Sequence, residues 1–149
     1  MPTESLPESQ ETFHDIGFEE IEHTADCALR IFGKNFLTLL TNAAIGMTGL
    51  MAFEPSAIPD DTTRHVELAA MDAESLLVDW LSELAYWAET EMLLFHRFEL
   101  YNVTPNHLQA VIHGGHVSRF KNHIKAVTYH NLEVIQTEKG LEATVVFDV

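Results

Sequence analysis

The run Ile124-Lys125-Ala126-Val127-Thr128-Tyr129-His130, followed by Thr137-Glu138-Lys139-Gly140 and by Leu141 to Val149, reads as strand, tight turn and return strand. Gly140 can supply the positive φ that a tight hairpin needs. The return strand alternates and ends in Val145-Val146-Phe147-Asp148-Val149. Asp148 puts a carboxylate one residue before Val149, whose α-carboxyl is a second anion. Both are hard oxygen donors of the kind that calcium or magnesium prefers. Near the other end, His23-Thr24-Ala25-Asp26 carries a further carboxylate. Should the fold bring Asp26 beside Asp148 and Val149, three carboxylates would converge at one point.

Upstream, residues 1–15 hold Glu4, Glu8, Glu11 and two prolines with few apolar side chains, and read as a flexible acidic tail. The remainder, 16–149, reads as one domain. Phe18 to Ile21 starts a strand, the His23–Asp26 stretch interrupts it, and Cys27 to Phe32 continues. There Cys27, Leu29 and Ile31 fall on one face, with Ala28, Arg30 and Phe32 on the other. From Asn35 the period changes. Phe36, Leu39, Leu40, Ala43, Ala44, Met47, Leu50 and Met51 recur at helical spacing, with Gly46 and Gly49 weakening the last turns. Arg64 to Ala69 alternates as a strand of mixed exposure. Asp72 is a good N-cap for a second helix carrying Leu76, Leu77, Trp80, Leu81, Leu84, Trp87 and Ala88 on one face. Phe95 to Val103 and His107 to His113 are strand-like about a Thr104-Pro105-Asn106 turn, and Gly114-Gly115 is expected to end the second of them. Late strands after a helical middle predict an α+β fold with antiparallel sheet packed on two helices.

Eight basic residues against 23 acidic ones give a formal charge of −15 in 149 residues. Stable direct binding to nucleic acid is not expected from that balance, because such affinity comes largely from Lys and Arg displacing counterions. A cation or a basic protein partner suits the field better. The one cysteine, Cys27, excludes an internal disulfide and any CxxC metal site, and its place within a strand predicts a buried core thiol. No apolar run is long enough for a membrane helix, and the N-terminus lacks the charge pattern of a secretory signal, so the expected location is cytoplasmic. Nine histidines raise zinc, but His113, His116, His123 and His130 follow no recognised ligand motif. No GxSxG elbow and no Walker loop is present. His23, beside Asp26, can orient a carboxylate or contact a ligand. Lys125 is the one basic residue of its motif and can meet a phosphate or a partner's acid, or simply cap a strand edge.

Taken together, several of these segments resemble the archease family, small accessory proteins of RtcB-type RNA-splicing ligases. The marks are Glu22-His23-Thr24-Ala25-Asp26, the small-residue helix from Ala43 to Met51, and Ser75-Leu76-Leu77 with Trp80-Leu81. Ile124 to His130 and the terminal Phe147-Asp148-Val149 complete them. The resemblance runs from about Phe18 to Val149. It implies two helices packed between antiparallel or mixed β-sheets. It also implies a divalent metal, calcium with manganese or magnesium as the other choices, held by Asp26, Asp148 and Val149. A non-catalytic role follows: promoting guanylylation and repeated turnover of the partner ligase in tRNA splicing or RNA repair, with Lys125 at a position linked to that assistance; His23, from its place near Asp26, is the other candidate assisting residue. Gly114-Gly115-His116 departs from the Gly-Glu expected there, so that loop is assigned no ligand. Two other readings compete. One is a metal-dependent phosphoester hydrolase with His23 as base, and the other a chaperone-like binding module.

Overall fold

Two helices lie against two antiparallel sheets in a computed structural model that describes residues 17–22 and 26–149. The acidic segment 1–15 and His23 lie outside the described residues. Strands β1 (Phe18–Glu22) and β2 (Asp26–Gly33) form a hairpin in which Glu22 faces Cys27. Helix α1 (Phe36–Met51) follows, opened by Asn35, whose side chain accepts from the Thr38 amide at 2.9 Å. Strand β3 (Thr62–Ala69) leads to helix α2 (Ala73–Glu91), where Asp72 caps the Ser75 amide at 2.8 Å, as its sequence position predicts. Strands β4 (Leu93–Thr104), β5 (His107–His116), β6 (Ala126–Val127), β7 (Ile135–Thr137) and β8 (Gly140–Asp148) complete the chain.

The larger sheet runs β1-β2-β8-β6, with β7 also paired to β8; the smaller runs β3-β5-β4. Every pairing is antiparallel. Helix α1 touches β2 of one sheet and β4 of the other, so it sits between them. Leu29 and Ile31 of β2, Val145 and Phe147 of β8, Leu39, Leu40 and Met47 of α1, and Leu76, Leu77 and Trp80 of α2 are buried in one core. Trp80 adds a direct tie between the helices, its indole Nε1 donating to the Leu40 carbonyl at 2.9 Å. The α+β expectation from the late strands is met.

Two local expectations change. Gly114-Gly115 does not end β5, which continues to His116 opposite Leu93. A Cβ on Gly114 would fall onto the Leu94 carbonyl oxygen, so glycine here permits a close backbone approach. The partner strand bulges between Phe95 and Arg97 at that point. The second change is in Ile124 to His130. Only Ala126 and Val127 pair as strand, and the chain leaves the sheet after Thr128. Tyr129, His130 and Asn131 are exposed and offer no apolar face to bury, and Asn131 takes a positive φ of 51°. The chain rejoins β8 only at Ile135, through the turn closed by Gly140 at φ 125°.

Candidate metal site and its surroundings

Antiparallel pairing of β2 with β8 sets Asp26 directly opposite Asp148. The register follows from burial: Leu29 pairs with Val145 and Ile31 with Ala143, all four in the core, so a slip by one residue would turn them outward. Cys27 faces Phe147, the last core rung, and the next rung is the aspartate pair. Directly opposed residues carry their Cβ atoms about 5 Å apart on one face, within the span a single cation bridges. Asp26 is half-buried and Asp148 exposed. On the far side of β8, Ala126 pairs with Asp148, and the Lys125 amide donates to the Asp148 carbonyl at 2.7 Å.

The donor set therefore fits a hard, oxygen-preferring divalent cation in part. Two carboxylates share one rung and Val149 follows at once. Among the described residues, no three His, Cys, Asp or Glu side chains gather closely enough to hold a metal unaided. Val149, the next residue, is the third candidate that the sequence offers, and His23 lies outside the described residues. Among the described residues histidines gather into no zinc site: His107 pairs with Glu67 at 2.9 Å, His113 lies 3.5 Å from Glu99, and His123 lies 3.4 Å from Glu89, each a separate pair.

Cys27 lies next to Asp26 and packs half-buried against the core. Burial pushes its thiol pKa up, and the Glu20 and Asp26 carboxylates push it further the same way. A thiol so placed is a poor nucleophile at neutral pH, in keeping with a structural role.

Lys125 is exposed and borders a groove of about 410 Å³ between α2 and β6, shared with Ser82, Tyr86 and Glu89. Sequence reasoning passes over Tyr86, which is 61 % exposed. The signal available for it is an aromatic lying off the apolar stripe of α2. No helix among the described residues is long and apolar enough to cross a membrane.

Comparison with known proteins agrees with this architecture. Residues 18–149 match the model of the Archease protein family (MTH1598/TM1083). The chain is similar to protein archease of Methanosarcina barkeri, at 35 % identity over 140 residues, 89 % of this chain and 95 % of that protein. It is also similar to protein archease of Methanothermobacter thermautotrophicus, at 31 % identity over 141 residues, 89 % of this chain and 99 % of that one. Among solved structures, the solution structure of Methanobacterium thermoautotrophicum protein 1598 superposes with a TM-score of 0.74 at 28 % identity, covering 90 % of this chain and 99 % of that one. The crystal structure of a Thermotoga maritima archease, described as a possible chaperone, has a TM-score of 0.63 at 24 % identity, over 88 % and 96 % of the two chains, and shares the fold. With a family match spanning both sheets, both helices and the Asp26–Asp148 rung, this chain belongs to the archease family.

Proposed function

We propose that this protein is a non-catalytic accessory factor of an RtcB-type RNA ligase, promoting ligase guanylylation and repeated turnover through a divalent cation held by carboxylates. The observation that carries this reading is the Asp26–Asp148 rung in a chain of the archease family. Asp26, Asp148 and the α-carboxyl of Val149 would hold the ion, calcium first by the family resemblance and manganese or magnesium otherwise, since hard carboxylate oxygens suit all three. When bound, the cation supplies positive charge to which nucleotide phosphate oxygens are drawn. The carboxylates fix that charge at the sheet end. Two like charges opposed across a rung disfavour folding when alone, so neutralising them also stabilises the strand pair. Lys125 offers an ammonium to a phosphate or a partner acid from the groove beside the same rung, with His23 as a second assisting group. The surrounding charge of −15 favours docking into a basic cleft.

The test is RNA joining by a cognate ligase with RNA in large excess, with and without this protein. Wild type is expected to sustain turnover, and Asp26→Ala, with its circular dichroism unchanged, to lose most of that effect. Unaltered turnover with the variant would remove the metal from the reading. No effect of the wild type would remove the ligase.

A further inference from the structure

Residues 100–132 contain no aspartate or glutamate, although the chain has 23. Within them the connection from β5 to β6 carries Arg119, Lys121 and Lys125, three of the eight Lys and Arg residues, together with His123. The fold turns these cations outward. Arg119, Lys121, His123 and Lys125 are exposed, whereas Phe120 and Asn122 between them are half-buried and Ile124 is buried. Backbone anchors hold that alternation in place: the Lys121 amide donates to Met51 O at 2.8 Å, Asn122 Nδ2 to Leu50 O at 2.8 Å, and the Lys125 amide to Asp148 O at 2.7 Å.

Elsewhere the arginines are engaged with carboxylates: Arg30 with Glu19, Arg64 with Glu91, and Arg97 with Asp60 and Glu99. Among the described residues no carboxylate forms an ion pair with Arg119, Lys121 or Lys125. Among the described residues His123 is the one member of the row with a carboxylate within ion-pair distance, Glu89 at 3.4 Å. Aromatic surface interleaves the charges. The Arg119 guanidinium lies over the Phe53 ring at 4.4 Å, Phe53 is 53 % exposed, and Phe120 meets His123 edge-on at 4.9 Å. Phe53, His116, Ser118 and Arg119 line one groove of about 280 Å³, with Glu54 the acid on its wall.

We propose that this row, from the Phe53 groove to Lys125, is a binding track for single-stranded nucleic acid. Exposed, unneutralised cations attract successive phosphates, and nearby aromatic faces accept bases without regard to sequence. Phe53 beside the cations favours a ligand that carries planar rings at regular spacing along with its anions, as single-stranded nucleic acid does. Arg119 and Lys125 are separated by at most about 20 Å of chain, so the track takes only a few nucleotides. The overall charge of −15 weakens binding and confines contact to this strip, the exception to the expectation drawn from net charge. The proposal stands on these contacts alone, and its assay contains no ligase, so it can fail without the accessory-factor reading failing.

Fluorescence anisotropy of a labelled oligouridylate against the full chain, at about 50 mM salt, tests it. Saturable binding is expected, weakening with salt at a log–log slope of roughly −1.4 to −2 for two or three phosphates. The double variant Arg119→Ala, Lys121→Ala is expected to bind roughly tenfold more weakly, and Phe53→Ala, which alters no charge, about fivefold more weakly. Lys34→Ala with Lys139→Ala removes the same charge at the Gly33 end of β2 and should leave affinity unchanged. Absence of wild-type binding, no loss in the first variant, an equal loss in the Lys34/Lys139 control, or equal binding of an oligoglutamate would each overturn the proposal.

Discussion

Thr48 donates its hydroxyl to the Phe95 carbonyl at 3.0 Å inside the core, at the point where the β4 bulge interrupts the ladder. It is 4 % exposed, and its partner is a backbone acceptor that water does not reach in its place. Thr48→Val keeps the shape and removes the donor, so it is expected to cost about 1–3 kcal/mol in urea unfolding, with Thr48→Ser costing less. His107 shows a different effect at the same scale. Glu67, accepting from Nε2, raises its pKa most, and the Asn102 carbonyl at Nδ1 raises it further. A raised folded-state pKa means that this contribution to stability is fully present below the unfolded imidazole value of about 6.5 and is lost as pH rises through the folded value. Melting temperature is expected to fall more, or rise less, with pH across that window for the wild type than for His107→Gln. Neither residue is marked in the sequence, because a threonine in a helix or a histidine in a strand acquires its partner only from another element.

The helices were legible as elements because each has an apolar stripe, and α2 also has its N-cap, Asp72, at the right offset; that Asn35 caps α1 in the same way is a finding of the structure. Helix α1 continues through Gly46, whose missing side chain admits Leu29 and Phe18. What sequence could not show is how α1 ends. Its last carbonyls, Leu50 O and Met51 O, are taken by Asn122 Nδ2 and the Lys121 amide, which come from the connection between β5 and β6. Asn122→Ala should therefore cost about 1 kcal/mol and speed amide exchange locally, in residues 118–123, with α2 unaffected. Equal loosening of both helices would mean that Asn122 supports the core at large and not this strap. A similar tie holds the other connection, where the Val134 amide donates to Glu74 in the first turn of α2 at 2.8 Å. Strand β6 is short for a related reason: the exposed polar run after it has no face to bury, and a two-residue edge also resists pairing with other chains.

At the scale of the molecule, the carboxylate rung makes a prediction that needs no ligase. Calcium at about a hundred times its Kd should raise the melting temperature of wild type by roughly 5–10 °C, and that of Asp26→Ala by little. Two glycines added after Val149 would move the α-carboxyl away while keeping Asp148, so a clearly reduced shift is expected. A shift of equal size in all three proteins would mean that calcium acts on the acidic surface generally and not at this rung. The sequence alone determined the two helices and the Asp72 cap, the turn through Gly140, the α+β class and the family resemblance, because each is written in local periodicity, turn chemistry or motif order. It also supplied Asp26 and Asp148 as candidates, joined in one site only by what the family resemblance implies, since spacing leaves them separate carboxylates. Their juxtaposition was decided by the β2–β8 register, which is set by packing Leu29, Ile31, Val145 and Ala143 into one core. The same holds for the cationic row: its composition lies in the sequence, but the outward turn of Arg119, Lys121 and Lys125 comes from anchoring their backbone to α1 and β8. Pairings between distant segments cost loop-closure entropy that only a shared core repays, and no local pattern records which partner that core selects.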